Sequence, residues 1–104
     1  MIIGIPTEEG EFVSDHFGRS KYFVIFDTKN ANLHKLIENP HQHAATEQSG
    51  HGLLLKMLVQ NSVNEVICSN LNPRMQQNLE SLKIAVKKCA PSATIESIVN
   101  HISH

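Results

Sequence analysis

VSDHFGRSKYFVIFD, residues 13–27, is the stretch that decides how the rest of the chain is read. Tyr22, Phe23, Val24, Ile25 and Phe26 are aromatic or β-branched without interruption. That is the composition of a strand covered on both faces, and such strands sit at or near the centre of a sheet. Directly before it, Asp15, His16, Phe17, Gly18 and Arg19 bring a carboxylate, an imidazole, an aromatic ring, a flexible backbone position and a guanidinium into five residues. Two readings of that turn stand side by side. In one, Asp15 caps a turn, Gly18 takes a positive φ, Phe17 fills the core and His16 is solvated; in the other, the turn carries a binding site beside the central strand.

Upstream, Ile2 to Ile5 is a short apolar run ended by Pro6, followed by a polar turn with Gly10 at its tip. This predicts a first strand and a reversal, with Phe12 and Val13 adding a short extended piece. Downstream, Lys29 to Asn32 reads as a turn and Leu33 to Glu38 as an edge strand, stopped by Asn39-Pro40. Strands two (Lys21 to Asp27) and three then form a hairpin. Residues 40–52, PHQHAATEQSGHG, lack apolar periodicity and read as an exposed loop, the longest of the chain, holding His41, His43 and His51. Leu53, Leu54, Leu55, Met57, Leu58 and Val59 mark a strongly buried helix from near Ser49 to Asn61.

Glu65 to Cys68 is a fourth strand, and Asn72-Pro73 starts a helix whose apolar stripe is Met75, Leu79 and Leu82. Lys83 to Val86 gives strand five, and a last helix runs through Ile95, Ile98, Val99 and Ile102 with Ser92 or Thr94 as its cap. The order is βββαβαβα, an antiparallel meander followed by two parallel crossovers. It predicts one α/β domain over residues 1–104 with a five-stranded mixed sheet of order 3-2-1-4-5 and three helices. Winding reverses between strands one and four, so ligands are expected outside the carboxyl ends of those strands.

Nine basic against ten acidic side chains, a formal charge of −1, leave no electrostatic footprint for nucleic acid or an anionic membrane surface. The apolar runs fall short of the roughly 20 residues a membrane span requires, and Met1 to Pro6 has no basic segment of the kind that opens a secretory leader. A soluble, cytoplasmic protein is expected. Cys68 and Cys89 make no disulfide scaffold and have no cysteine partner at metal-ligand spacing.

Seven histidines are many for 104 residues. His101 and His104 close the chain, whereas His41, His43 and His51 share one segment whose spacing fits no closed zinc pattern. Gly50-His51-Gly52 opening a helix offers backbone N–H groups to an anion, or simply loop flexibility. Cys68 reads as a small hydrophobe or a metal ligand, and Arg74 as an anion contact or a surface charge. The chain contains no Ser-His-Asp, Cys-His or P-loop pattern, and no strand-borne carboxylate set for two-metal hydrolysis. No catalysis is expected.

Taken together, MIIGIPTEEGEFVSDHFGRSKYFVIFD, the Asn39-Pro40 stop, His51-Gly52 at a helix start, VICSNLNPRM and TIESIV resemble the dinitrogenase iron-molybdenum cofactor biosynthesis family of NifX/NifB type, over nearly the whole chain. The most specific piece is S-x-HFGR-x-x-x-F, here Ser14, His16, Phe17, Gly18, Arg19 and Phe23. The resemblance implies a ribonuclease H-like three-layer α/β fold without nuclease activity. It also implies a carrier of iron-molybdenum cofactor or an iron-sulfur precursor, acting with cofactor-assembly proteins in nitrogen fixation. His16, His43, His51 and Cys68 become candidate metal ligands, and His16, Gly18, Arg19, Gly50, Gly52 and Arg74 candidate contacts for an anionic cluster. Where the family commonly has a glycine before strand five, this chain has Lys83, and Asn72 stands where a glycine usually precedes the proline. The rival reading is an interaction or regulatory module of the same fold that binds a protein partner or a small anion and no cluster.

Overall fold

The computed structural model describes residues 1–91 and 93–103; of these, the side chains of 30–34, 42–43, 47–48 and 102–103 are outside the description. Strands β1 (Ile2–Thr7), β2 (Tyr22–Asp27) and β3 (Asn30–Glu38) are followed by a 3-10 turn at Pro40–His43 and helix α1 (Glu47–Gln60). Strand β4 (Glu65–Cys68), helix α2 (Pro73–Ser81), strand β5 (Ala85–Lys88) and helix α3 (Ile95–Ser103) complete the chain. The sheet has the order β3-β2-β1-β4-β5. Pairing is antiparallel within the meander and parallel for β1 with β4 and β4 with β5. The expected topology, strand order and helix number are those observed.

Alternation along β2 builds the layers. Phe23 and Ile25 pack with Leu54, Leu58, Met75 and Leu79 under α1 and α2, whereas Val24 and Phe26 pack with Ile3, Ile5, Ile67 and Ile95 under α3. Burial on both faces is what the unbroken apolar run demands. In α1 the buried stripe is Leu54, Met57 and Leu58, while Leu53 and Val59 are exposed. The helix lies on one face of the sheet and so buries one stripe, not the whole apolar run.

Several boundaries differ from expectation. Strand β1 continues through Pro6 to Thr7. Pro6 is tolerated because its carbonyl accepts from Ser14 N–H at 2.8 Å, so its nitrogen also faces that segment, which supplies a donor and asks for none. Strand β3 begins at Asn30, leaving a tighter hairpin, and its pairing with β2 is irregular between Phe26 and Asp27. The polar stretch 40–52 is mostly helical. Asn39 Oδ1 caps the 3-10 turn, accepting from His41 N–H at 3.0 Å. Thr46 and Ser49 form a capping box that starts α1 at Glu47. Of the candidate caps for α3, Thr94 Oγ1 accepts from Ser97 N–H at 3.1 Å, and Ser92 lies outside the described residues.

Strand β5 begins at Ala85, two residues later than expected, because α2 ends in a left-handed cap. Lys83 has φ +61°, its N–H bonds to Glu80 O, and Ile84 N–H reaches back to Leu79 O at 2.9 Å. Leu82, expected in the buried stripe, is the exposed C-cap of α2. Helix α1 ends the same way, with Ser62 at φ +58° and Val63 N–H bonded to Leu58 O. Both are Schellman motifs built without the usual glycine.

At the amino end of the sheet, Asn64 joins three strands. Ile2 N–H donates to Asn64 Oδ1 and Asn64 N–H to Ile2 O, both at 2.8 Å, and Ala85 N–H donates to Asn64 O at 2.9 Å. At the other end β1 and β4 part. Their registered pairs are Ile3–Glu65 and Gly4–Val66, and beyond these Val13 bridges Thr7 on β1. The sequence segment leading to His16 is therefore wedged where the winding reverses.

Candidate functional site

That wedge places the turn containing His16, Gly18 and Arg19 at the carboxyl ends of β1 and β4. Thr7, fully buried, shapes the approach: its Oγ1 donates to Phe12 O at 2.7 Å and accepts from Gly10 N–H at 2.8 Å. Phe17 anchors the turn by an edge-on contact with Phe23, ring centroids 5.3 Å apart, leaving His16 and Arg19 exposed on either side of it. On β4's side, Ser69 Oγ donates to Asp15 Oδ1 at 3.4 Å.

A cavity of about 240 Å³ opens here. His16, Gly18 and Arg19 form one wall, His51 from the first half of α1 another, and Asn70 with Asn72 the turn between β4 and α2. Phe17, Leu71 and Met75 supply the apolar floor. Two imidazoles, a guanidinium and two carboxamides thus line the space, and among the described residues no carboxylate does. A recess of that composition favours an anion. Imidazole nitrogens can also ligate soft and borderline metals, provided the ring is neutral.

Four expected residues are brought together in this cavity: His16, Gly18, Arg19 and His51. Gly50 and Gly52 lie within α1, because that helix starts earlier than expected, and the Gly50 amide donates to Thr46 O at 3.0 Å. Arg74, exposed on the first turn of α2, is not among the lining residues. Cys68 is fully buried at the end of β4, in the core beneath Leu71 and Met75. Burial pushes its thiol pKa up, partly offset by Lys88, so it is held as the neutral thiol. His43 belongs to the 3-10 turn, and its side chain, like His104, lies outside the described residues. Among the described residues, no group of three or more His, Cys, Asp or Glu side chains is placed to hold a metal ion.

Sequence reasoning missed the residue that ties the two halves of the site together. Asn39, fully buried, donates through Nδ2 to Ser20 O at 2.8 Å and Gly18 O at 3.3 Å, while its Oδ1 holds His41 N–H. The His41 ring then lies 5.4 Å from the His51 ring, centroid to centroid. It packs on Gly50 so closely that a Cβ there would come 2.6 Å from His41 Cδ2. Gly18, in turn, faces His51, whose Nε2 would be 3.8 Å from a Cβ on Gly18. The only signal in the sequence was an asparagine before a proline, which reads as a strand stop.

Comparison with known proteins bears on the family and the fold. The family model described as dinitrogenase iron-molybdenum cofactor matches residues 1–104. The crystal structure of PH0822 has 25% identity and a TM-score of 0.79, covering 98% of this chain and 90% of that one. The NMR structure of a putative NifB protein from Thermotoga has 25% identity and a TM-score of 0.77, covering 98% and 86%. The apo form of the orange protein from Desulfovibrio gigas, at 18% identity and a TM-score of 0.81 over 96% and 84% of the two chains, shares the fold. No curated protein matches the chain.

Proposed function

The chain belongs to the dinitrogenase iron-molybdenum cofactor family, and from that premise we propose that it is a carrier. It holds an anionic metal-sulfide cluster, iron-molybdenum cofactor or an iron-sulfur precursor, as cargo at the mouth of the His16 cavity and releases it unchanged to an assembly partner. The observation that carries this reading is the charge sorting of the lining: His16, His51 and Arg19 converge, and among the described residues no carboxylate lines the cavity. His16 and His51 are the candidate ligands. Arg19 and the Asn70 and Asn72 carboxamides offset negative charge on cluster sulfides through hydrogen bonds. Phe17, Leu71 and Met75 limit water at the bound face. Capture and release make and break only coordination bonds and hydrogen bonds to the cargo. Among the described residues no helix is long and apolar enough to cross a membrane.

The test is anaerobic titration with a synthetic iron-sulfur or isolated iron-molybdenum cluster, followed by desalting, visible absorption and metal analysis. Wild type is expected to retain the cluster, with His16→Ala and His51→Ala each weakening retention at least tenfold. Equal retention by all three proteins, or none by wild type, overturns the reading and leaves an interaction module of the same fold.

A further inference from the structure

The two faces of the sheet are covered unequally. Helices α1 and α2 share one face, while α3 alone covers the other and is tied toward β1, through Ile95 N–H to Glu11 O at 2.8 Å and a bridge between Phe12 and Thr94. The outer part of that face, over β4 and β5, is left as a groove of about 380 Å³. Its floor is Ile67 of β4 and Cys89 just beyond β5, and its far wall is Ile98 of α3. Lys87, which alternation along β5 puts on the same face as Cys89, stands along one rim, with His101 on the other, whereas the Lys88 side chain points to the opposite face with Val86. This groove is larger than the His16 cavity and falls at the lower end of the roughly 300–1,000 Å³ typical of small-molecule sites.

We propose that this groove is a second binding site, for an organic anion with an apolar body, of the fatty-carboxylate type. Three observations support that ligand class. Apolar groups form the floor and far wall, so they match a hydrocarbon body. The Lys87 ammonium stands at the rim and no guanidinium lines the groove, which suits a point-charge contact with a carboxylate in place of a bidentate fork on phosphate. Among the described residues no carboxylate lines the groove, although acidic residues outnumber basic ones in the chain. Lysines on an edge strand also discourage strand-to-strand aggregation. That role needs only exposure along the strand, however, and leaves the apolar concavity between Lys87 and α3 without a purpose. The burial that raises the Cys89 thiol pKa fits an apolar floor.

The site is independent of the cluster reading, and its test separates them. Isotope-labelled protein is titrated with octanoate, with acetate (charge without tail) and with 1-octanol (tail without charge), and amide shifts are followed by NMR. Octanoate is expected to give saturable shifts at Ile67, Lys87, Lys88, Cys89 and Ile98, at least tenfold tighter than either control. Lys87→Glu, which alters an exposed side chain, is expected to lose that binding, and Lys88→Glu, on the opposite face of the strand, and His16→Ala to keep it. Shifts centred elsewhere, equal binding of 1-octanol, or unaffected binding by Lys87→Glu would each overturn the proposal.

Discussion

Two recesses meet at His16 and differ in everything but that residue. On one side is the cavity of imidazoles, Arg19 and carboxamides; on the other a hollow of about 350 Å³ lined by Glu8, Glu9 and Asp15 with Phe12, Val13 and Ser14. The second is the roomier, yet its carboxylates repel the anion that the first attracts. Size therefore ranks them wrongly, and the sign of the lining charge ranks them usefully. They also differ in what holds them. The acidic hollow is built by backbone bonds of β1 and the Val13 segment, including Val13 N–H to Ala93 O at 2.9 Å, whereas the cavity depends on side chains, above all Asn39.

Asn39→Ala is the sharpest way to break the comparison. It leaves the Gly18 and Ser20 carbonyls and the His41 amide without their side-chain partner; at about 1 kcal/mol each for part-compensated buried groups, denaturant unfolding should show a loss of about 2–3 kcal/mol. The variant should also lose cluster retention while the Val13–Ala93 amide stays protected from exchange. Unchanged stability would refute the clamp. Next comes charge: Asn70→Asp puts a carboxylate in the cavity and should weaken cluster retention about tenfold, about 1.4 kcal/mol, whereas Glu9→Gln in the hollow should leave it within twofold. If both behaved alike, charge sorting would not define the site.

The two glycines of α1 should respond with opposite signs. Gly52→Ala meets nothing within 4 Å and should stabilise by up to about 1 kcal/mol through helix propensity. Gly50→Ala drives its Cβ into the His41 ring and should instead cost about 1–2 kcal/mol, with retention reduced because His41 flanks His51. The smallest effect is expected away from both recesses. Lys83→Gly, which removes side-chain strain at φ +61°, should raise the unfolding midpoint by an increment worth a few tenths to about 1 kcal/mol and leave cluster retention as in wild type.

Much of the fold was legible because its signals are local. The apolar run of β2, Asn39-Pro40 and Asn72-Pro73 each state a strand or a boundary within a few residues. What misread did so for tertiary reasons. Pro6 looked like a stop because its acceptor role depends on Ser14, eight residues on. Residues 40–52 looked like a loop because Asn39, Thr46 and Ser49, the polar residues that cap helices, are also those that make turns. Lys83 looked like strand because nothing in its side chain announces a left-handed backbone. In the site, His16, Gly18, Arg19 and His51 stood out by chemistry. Asn39 and Asn70 did not, since a carboxamide acquires its part only from the neighbours the fold gives it.

The Asn64 junction has a mechanical corollary. With β1, β4 and β5 fastened together at one end and β1 parted from β4 by the Val13 segment at the other, the sheet is built like a tuning fork: a fixed base and two prongs. On the proposed reading, a cargo at the His16 cavity bears on the turns beyond these tips, Asn70 and Leu71 among them, and not on the base. Opening free energies measured by hydrogen exchange should accordingly grade along β4, highest at the Val66 amide near the base and lower toward the Asn70 and Leu71 amides at the tips.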